Sequence, residues 1–154
     1  MFWCAFSAHR IIGPFFFQET INSERYIRLI LEPLCEELTY SERLTGYFQQ
    51  DNATAHTANE SMRELHRIFG RRVISRGLWP PRSPDLTPCD FYFWGTMKNR
   101  VYATNPHTLE ELKENIKTTI SAVTAEELLR VNDSFLKRCE LCITQNGQHF
   151  EQIM

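Results

Sequence analysis

With 154 residues and 42% hydrophobic side chains, the chain can bury one sizeable core, which excludes a disordered tail. Its net charge of −2 excludes a simple polycation that coats nucleic acid. No apolar run approaches the roughly 20 residues of a membrane span, and the apolar opening Met1–Ser7 is too short, and lacks the basic start, for a signal peptide.

Residues 2–7 and 10–18 read as two strands, because Ile11, Ile12, Phe15, Phe16 and Phe17 are too apolar for an exposed loop. The short stretch Ser7–Arg10 between them predicts a hairpin. Ser23 is the expected cap of a helix whose apolar stripe is Tyr26, Ile27, Ile30, Leu31 and Leu34, with Pro33 expected to break or kink it. Residues 44–50 read as a third strand ending at Asp51. A helix follows over 58–69, stopped by Gly70, and 72–75 reads as a short strand. Residues 79–88 form a proline-punctuated loop, after which Thr87 caps and Pro88 opens a helix holding Asp90, Phe91, Trp94 and Met97. The last third is helical. Thr108 with Glu111 and Thr124 with Glu127 are capping boxes. The stripes are Leu109, Leu112, Ile116, Ile120 and Val123, then Leu128, Val131, Phe135, Cys139 and Cys142. The order predicts a single mixed α/β domain with a helical C-terminal end.

Charge is unevenly spread. Residues 63–100 hold eight Arg/Lys against three acids, a net of +5, which leaves −7 for the remainder. Such a basic middle either faces phosphates or is a solvated helix face. The five cysteines are odd in number and scattered, which points to a reducing compartment, cytosol or nucleus.

Two acids stand where chemistry collects. Asp51 closes a buried strand, and ligands of α/β sheets gather at strand ends. It is either part of a metal-binding corner with Asn52 and His56 or a turn-forming residue. Asp90 lies in the first turn of its helix, where the dipole favours the ionised form. Ordinary helix-start chemistry favours Asp there as well. Asp85, in the preceding loop, reads as a turn former. Hard cations such as Mg²⁺ take several carboxylate oxygens, and a pair of them can activate a water and stabilise the leaving oxygen in phosphodiester cleavage.

The runs Gln50-Asp51-Asn52-Ala53-Thr54-Ala55-His56 and Pro80-Pro81-Arg82-Ser83-Pro84-Asp85-Leu86-Thr87-Pro88-Cys89-Asp90-Phe91 resemble the two signature blocks of Tc1/mariner transposases. Gly13-Pro14, the opening Asn22–Tyr26 of the first helix, Trp94-Gly95 and the closing Arg138-Cys139 through Glu151 are similar to the same family. The resemblance spans essentially all of 1–154. It implies a ribonuclease H-like fold and a DDE/D triad binding Mg²⁺ or Mn²⁺. By motif, Asp51 corresponds to the second carboxylate and Asp90, after 38 intervening residues, to the third. Asp rather than Glu at position 90 leans toward the mariner side. Asn52 and His56 are then expected to orient the first of these acids or to contact DNA, and Arg71, Arg72, Arg76 and Arg82 to touch phosphates.

The resemblance also implies an incomplete set. The family's first Asp lies on a strand upstream of the one that Phe2–Ala5 resembles, and no acid precedes Glu19. The expectation is a ribonuclease H-like mixed sheet lacking its first strand, followed by C-terminal helices. The first carboxylate and the N-terminal helix-turn-helix domains are expected to be absent. In that fold the first strand lies between the second and fourth, so the loss opens a sheet edge. The expected consequences are poor stability or a homodimer that repairs the edge, and a transposon-derived domain with little or no catalysis. The expected partner is double-stranded DNA in the nucleus, with no membrane and no small-molecule substrate. Two other readings are a non-enzymatic DNA- or protein-binding module and a metal-dependent nuclease completed by Glu19 or a partner's acid.

Other candidates read as structural. Cys139 and Cys142 form a lone CxxC on an apolar stripe, whereas zinc needs four ligands and His149 is the sole extra nearby. Phe91, Phe93 and Trp94 could stack on bases, but an amphipathic helix uses such aromatics for packing. His66 and His107 read as surface residues.

Overall fold

The computed structural model describes residues 1–80, 83–148 and 150. The chain divides into two compact units, Met1–Cys4 with Phe15–Arg82 and Ala5–Pro14 with Ser83–Met154.

Strands β1 (Phe2–Phe6) and β2 (Ile11–Phe16) pair as expected. The open end is tied by Phe17 N–H donating to Met1 O at 3.0 Å. At the turn, Ser7 N–H donates to Arg10 O at 2.9 Å. The Ser7 hydroxyl oxygen accepts from the N–H groups of His9 and Arg10.

In the first unit a continuous helical stretch runs through α1 (Ser23–Tyr26), a π-helical turn (Ile27–Leu31) and α2 (Glu32–Glu37). The cap is Asn22 rather than Ser23: its side chain accepts from Arg25 N–H at 2.9 Å. Pro33 does not break the helix. The wide turn passes the Glu32 N–H to Ile27 O, five residues back. Pro33 thus falls in the first turn of α2, where a residue without an N–H is tolerated.

The third strand is shorter than its apolar pattern predicts. Thr39 and Glu42 form a reciprocal capping box that draws 40–45 into α3 (Tyr40–Thr45). Only Phe48–Gln49 is left as β3. Its partner β4 (Val73–Ile74) is parallel, with Phe48 opposite Val73 and Gln49 opposite Ile74. A parallel pair needs a crossover. Here it is α4 (Thr54–Thr57) and α5 (Asn59–Phe69), the latter stopped by Gly70 at φ 62°. Ser61, Leu65 and Phe69, four apart, face inward. They join Tyr26, Ile30, Leu31, Leu34 and Val73, all at most 4% exposed. Burying each of these large side chains contributes about 2 kcal/mol.

The second unit holds a π-helical turn (Cys89–Trp94), α6 (Gly95–Tyr102), α7 (Leu109–Ser121) and α8 (Ala125–Thr144). Phe93, Met97, Val101, Ile116, Ile120, Leu128 and Val131 are buried. Phe6 stacks on Phe93 with centroids 5.3 Å apart. The Thr108–Glu111 box forms as expected. The Thr124 box is half made: Thr124 Oγ1 accepts from Glu127 N–H, but the Glu127 carboxylate turns instead to Tyr92 and Arg100. Those two donors outweigh the effect of burial and hold Glu127 below the usual carboxylate range. Leu109, expected on the buried stripe, is 58% exposed. Among the described residues no helix is long and apolar enough to cross a membrane.

Candidate functional site

Asp51 follows the end of β3, and its neighbours explain its setting. Gln50, the residue before it, is buried, and its amide is fully employed. Its Oε1 accepts from Tyr26 OH at 2.6 Å, and its Nε2 donates to His56 O and to Ser75 Oγ, each at 3.0 Å. One side chain therefore ties α1, the turn after β3 and the end of β4 together.

Asp51 then turns outward, with about half of its side chain exposed. Its Oδ1 accepts from Ala53 N–H at 3.1 Å and lies 2.5 Å from His56 Nδ1. The bond from His56 holds the carboxyl below its usual range against the opposing effect of burial, and the Ala53 N–H adds to it. Among the described residues Oδ2 accepts no hydrogen bond. Tyr26 backs the imidazole, with ring centroids 4.5 Å apart. Burial, and then the charge of Asp51, push the Tyr26 phenol upward, so it stays a neutral donor. His56 thus touches Asp51 as the sequence suggests. Asn52 does something else: its Nδ2 donates to Trp79 O at 3.2 Å and pins the 76–80 loop. A cavity of about 490 Å³ lies there, lined by Asn52, Thr57, Arg76, Gly77, Leu78 and the neighbouring Trp79 and Pro80.

Of the basic candidates, Arg71 is exposed. Arg72 is engaged within the fold, its guanidinium donating to Gly46 O at 3.1 Å and to Arg43 O at 2.5 Å. Arg76 borders the cavity, held by long bonds to Thr57 O and Asn59 Oδ1 at 3.5 and 3.4 Å. Arg82 and His149 lie outside the described residues.

Asp90 belongs to the second unit. It is exposed in the first turn of the 89–94 segment, and its N–H donates to Thr87 O at 2.8 Å. The Thr87 hydroxyl does not cap the helix; it donates back to Ser83 O at 3.1 Å and closes the loop on itself. Leu86, within that loop, is buried. Arg138, on α8, fixes the arrangement from a distance in sequence. Its Nη1 donates to Asp85 O at 2.8 Å, and its guanidinium carbon sits 4.2 Å from the centroid of Phe91. Asp85 therefore serves through its backbone carbonyl. Phe93 is core, while Trp94 is 39% exposed and edges against Phe93.

Sequence reasoning missed Gln50 and Arg138. A glutamine at the end of an apolar strand, next to the acid, was the available signal for the first. Nothing local to residues 83–91 signals the second.

Among the described residues no three His, Cys, Asp or Glu side chains assemble as a metal-ligating group. Cys139 and Cys142 sit one helical turn apart on α8, and burial raises the Cys139 thiol. What the chain offers a hard cation is a carboxylate held ionised with one oxygen open. That suits Mg²⁺ or Mn²⁺ better than a soft metal.

No protein-family model matches the chain. It is 34% identical over 118 residues to the transposable element Tc3 transposase of Caenorhabditis elegans, covering 75% of this chain and 34% of that protein. It is 23% identical over 137 residues to the human (Homo sapiens) histone-lysine N-methyltransferase SETMAR, covering 86% of this chain and 19% of that protein. The chain thus spans 34% and 19% of these relatives' own lengths. Among solved structures it matches the Mos1 transposase catalytic domain with Raltegravir and Mn at a TM-score of 0.72 and 22% identity, covering 98% of this chain and 82% of that one. The counterpart with Mg gives 0.71 at 24%, covering 92% and 70%. The Mos1 paired end complex with Mn gives 0.71 at 24%, covering 92% and 40%. The mixed α/β fold is that of the ribonuclease H-like Mos1 catalytic domain, and the chain belongs to the Tc1/mariner transposases as part of their catalytic domain.

Proposed function

We propose that Asp51 and Asp90 are the second and third carboxylates of a DDE/D set that holds Mg²⁺ or Mn²⁺ and acts on double-stranded DNA in the nucleus. The observation that carries this reading is the Asp51–His56 contact at 2.5 Å, which keeps an exposed strand-end acid ionised. His56 orients that acid, Asn52 fixes the loop beside it, and Arg76 with Arg71 offers charge to phosphates. Bound ions in such sites activate a water or hydroxyl and stabilise the leaving oxygen. The relatives' names and the Mos1 complexes with Mg, Mn and paired ends support the metal and the partner.

The first acid of the set is proposed to come from outside these 154 residues, on a further strand. Among the described residues β1 pairs with β2 alone and β3 with β4 alone, so each has an edge able to take another strand. By this reading the chain alone neither cuts nor joins DNA.

The test is cleavage of supercoiled plasmid with Mn²⁺ by the wild type, Asp51→Asn and Asp90→Asn, alongside Mn²⁺ binding read by electron paramagnetic resonance. The expected result is no cleavage by any version and weaker Mn²⁺ binding in both variants. Equal binding by all three sinks the assignment. Cleavage abolished by the two substitutions would establish a nuclease completed by another acid. Salt-dependent DNA binding with no metal effect would favour the non-enzymatic module.

A further inference from the structure

The last carbonyls of a helix have no partner along the helix itself. At the end of the one-turn helix α4, two of them are met by side chains. Ser61 Oγ donates to Ala55 O at 2.6 Å, and Gln50 Nε2 donates to His56 O at 3.0 Å. The second bond comes from an amide that is held from both ends. Its nitrogen also donates to Ser75 Oγ at 3.0 Å, and its oxygen accepts from the Tyr26 hydroxyl at 2.6 Å. Turning the amide over would set its oxygen against the His56 carbonyl oxygen, acceptor against acceptor.

Tyr26 reaches His56 a second time. Its ring lies against the imidazole, with centroids 4.5 Å apart and planes tilted by 37°. Tyr26 is fully buried at the end of α1. A phenylalanine would fill such a place in the core equally well, and a buried hydroxyl destabilises unless it is bonded. Here the hydroxyl fixes the amide that fixes the His56 backbone, while the ring below it fixes the His56 side chain. Both handles of one residue end on the same histidine.

We propose that Tyr26 is a positioning residue for the Asp51 site. It sets the pose of His56 through ring and carbonyl together, and so holds Asp51 Oδ1 on His56 Nδ1 while Oδ2 stays open. The consequence for a bound cation rests on the reading of Asp51 as a metal ligand. The positioning itself is a property of the metal-free chain.

The test is proton and nitrogen NMR of the His56 imidazole in the metal-free chain, with Mn²⁺ binding by electron paramagnetic resonance as a second arm. In the wild type the Nδ1 proton is expected as a single downfield line, protected by its bond to Asp51. Tyr26→Phe keeps the ring and removes the hydroxyl. It should move that line upfield and speed its exchange roughly tenfold, the weight of one buried hydrogen bond. Mn²⁺ binding should weaken a few-fold, less than in His56→Ala, where about tenfold or more is expected. Tyr26→Leu removes both handles and should lose the line to fast exchange. Leu34→Ala, which opens the same core about two turns away, should leave the line's position unchanged. An unmoved line in Tyr26→Phe overturns the proposal, as does an equal displacement in Leu34→Ala, which would make the effect one of stability. Should Tyr26→Phe not fold, the wild type decides. The Tyr26 hydroxyl and His56 Nδ1 protons should exchange at the same rate, because one opening frees both, and a His56 proton that exchanges much faster overturns the proposal. If no version binds Mn²⁺, the metal reading of Asp51 fails while the proton line still decides the positioning.

Discussion

The two acid-bearing segments are built in opposite ways. Around Asp51 the support is close in sequence: Gln50 and His56 lie one and five residues away, and the acid's own contacts are to side-chain and backbone groups within that turn. Around Asp90 it is remote: Arg138 reaches across 53 residues to the Asp85 carbonyl and covers Phe91. The first segment fixes a carboxylate and its charge. The second fixes a backbone path, and the acid rides on it. A local network sets an ionisation state because its dipoles point at the carboxyl itself. A remote clamp sets position only.

The sharpest way to break this comparison is Gln50→Leu. It strands the Tyr26 hydroxyl, the His56 carbonyl and the Ser75 hydroxyl in a buried place, and should cost about 3 kcal/mol or more by urea unfolding. Loss below about 1 kcal/mol would mean that water replaces the amide. Next in size is Arg138→Met, which removes a charged hydrogen bond and a cation–π contact, worth about 2 kcal/mol together. Hydrogen exchange should speed up over residues 83–91 and stay unchanged over 50–57. The smallest effect is that of His56→Ala, read by carboxyl-carbon NMR. Asp51 should titrate higher, because the His56 bond that lowers it is gone while the burial that raises it remains. Because its folded value is depressed, the pairing contributes stability above the unfolded-state value and loses it as pH falls through the lower folded one. The wild type should therefore lose this increment below about pH 4 and the variant should not. With the side chain half exposed, the increment stays within about 1 kcal/mol.

The same contrast explains what could be read without coordinates. The strands at β1 and β2 and the α5 helix with its Gly70 stop follow from periodicity and turn signals, while the Asp51–His56 pairing follows from the resemblance of residues 50–56 to the family's signature block. Errors arose where two local signals competed. Residues 44–50 read as a strand, yet the Thr39–Glu42 box starts a helix upstream that takes Leu44 and Thr45. Asn22 and Ser23 are both good caps, and backbone geometry chose the former. Thr87 could cap a helix or close its own loop, and the 83–88 turn won. Glu127 left its capping role because Tyr92 and Arg100 bind it more strongly from another helix. Asn52 and Arg138 act through backbone carbonyls of distant residues, which no side-chain motif encodes.

The wide turn at Cys89–Trp94 has a consequence for chain length. A π turn is an α turn with one residue to spare. Losing a residue there would leave an ordinary α turn, with Met97 and Val101 still facing inward. The same loss inside Gly95–Tyr102 would swing one of them outward by about 100°. The segment that carries Asp90 thus holds slack: a residue can be gained or shed between Asp90 and Met97 while the helix behind keeps its register, so the acid's place relative to that helix can drift in evolution without unpacking the core.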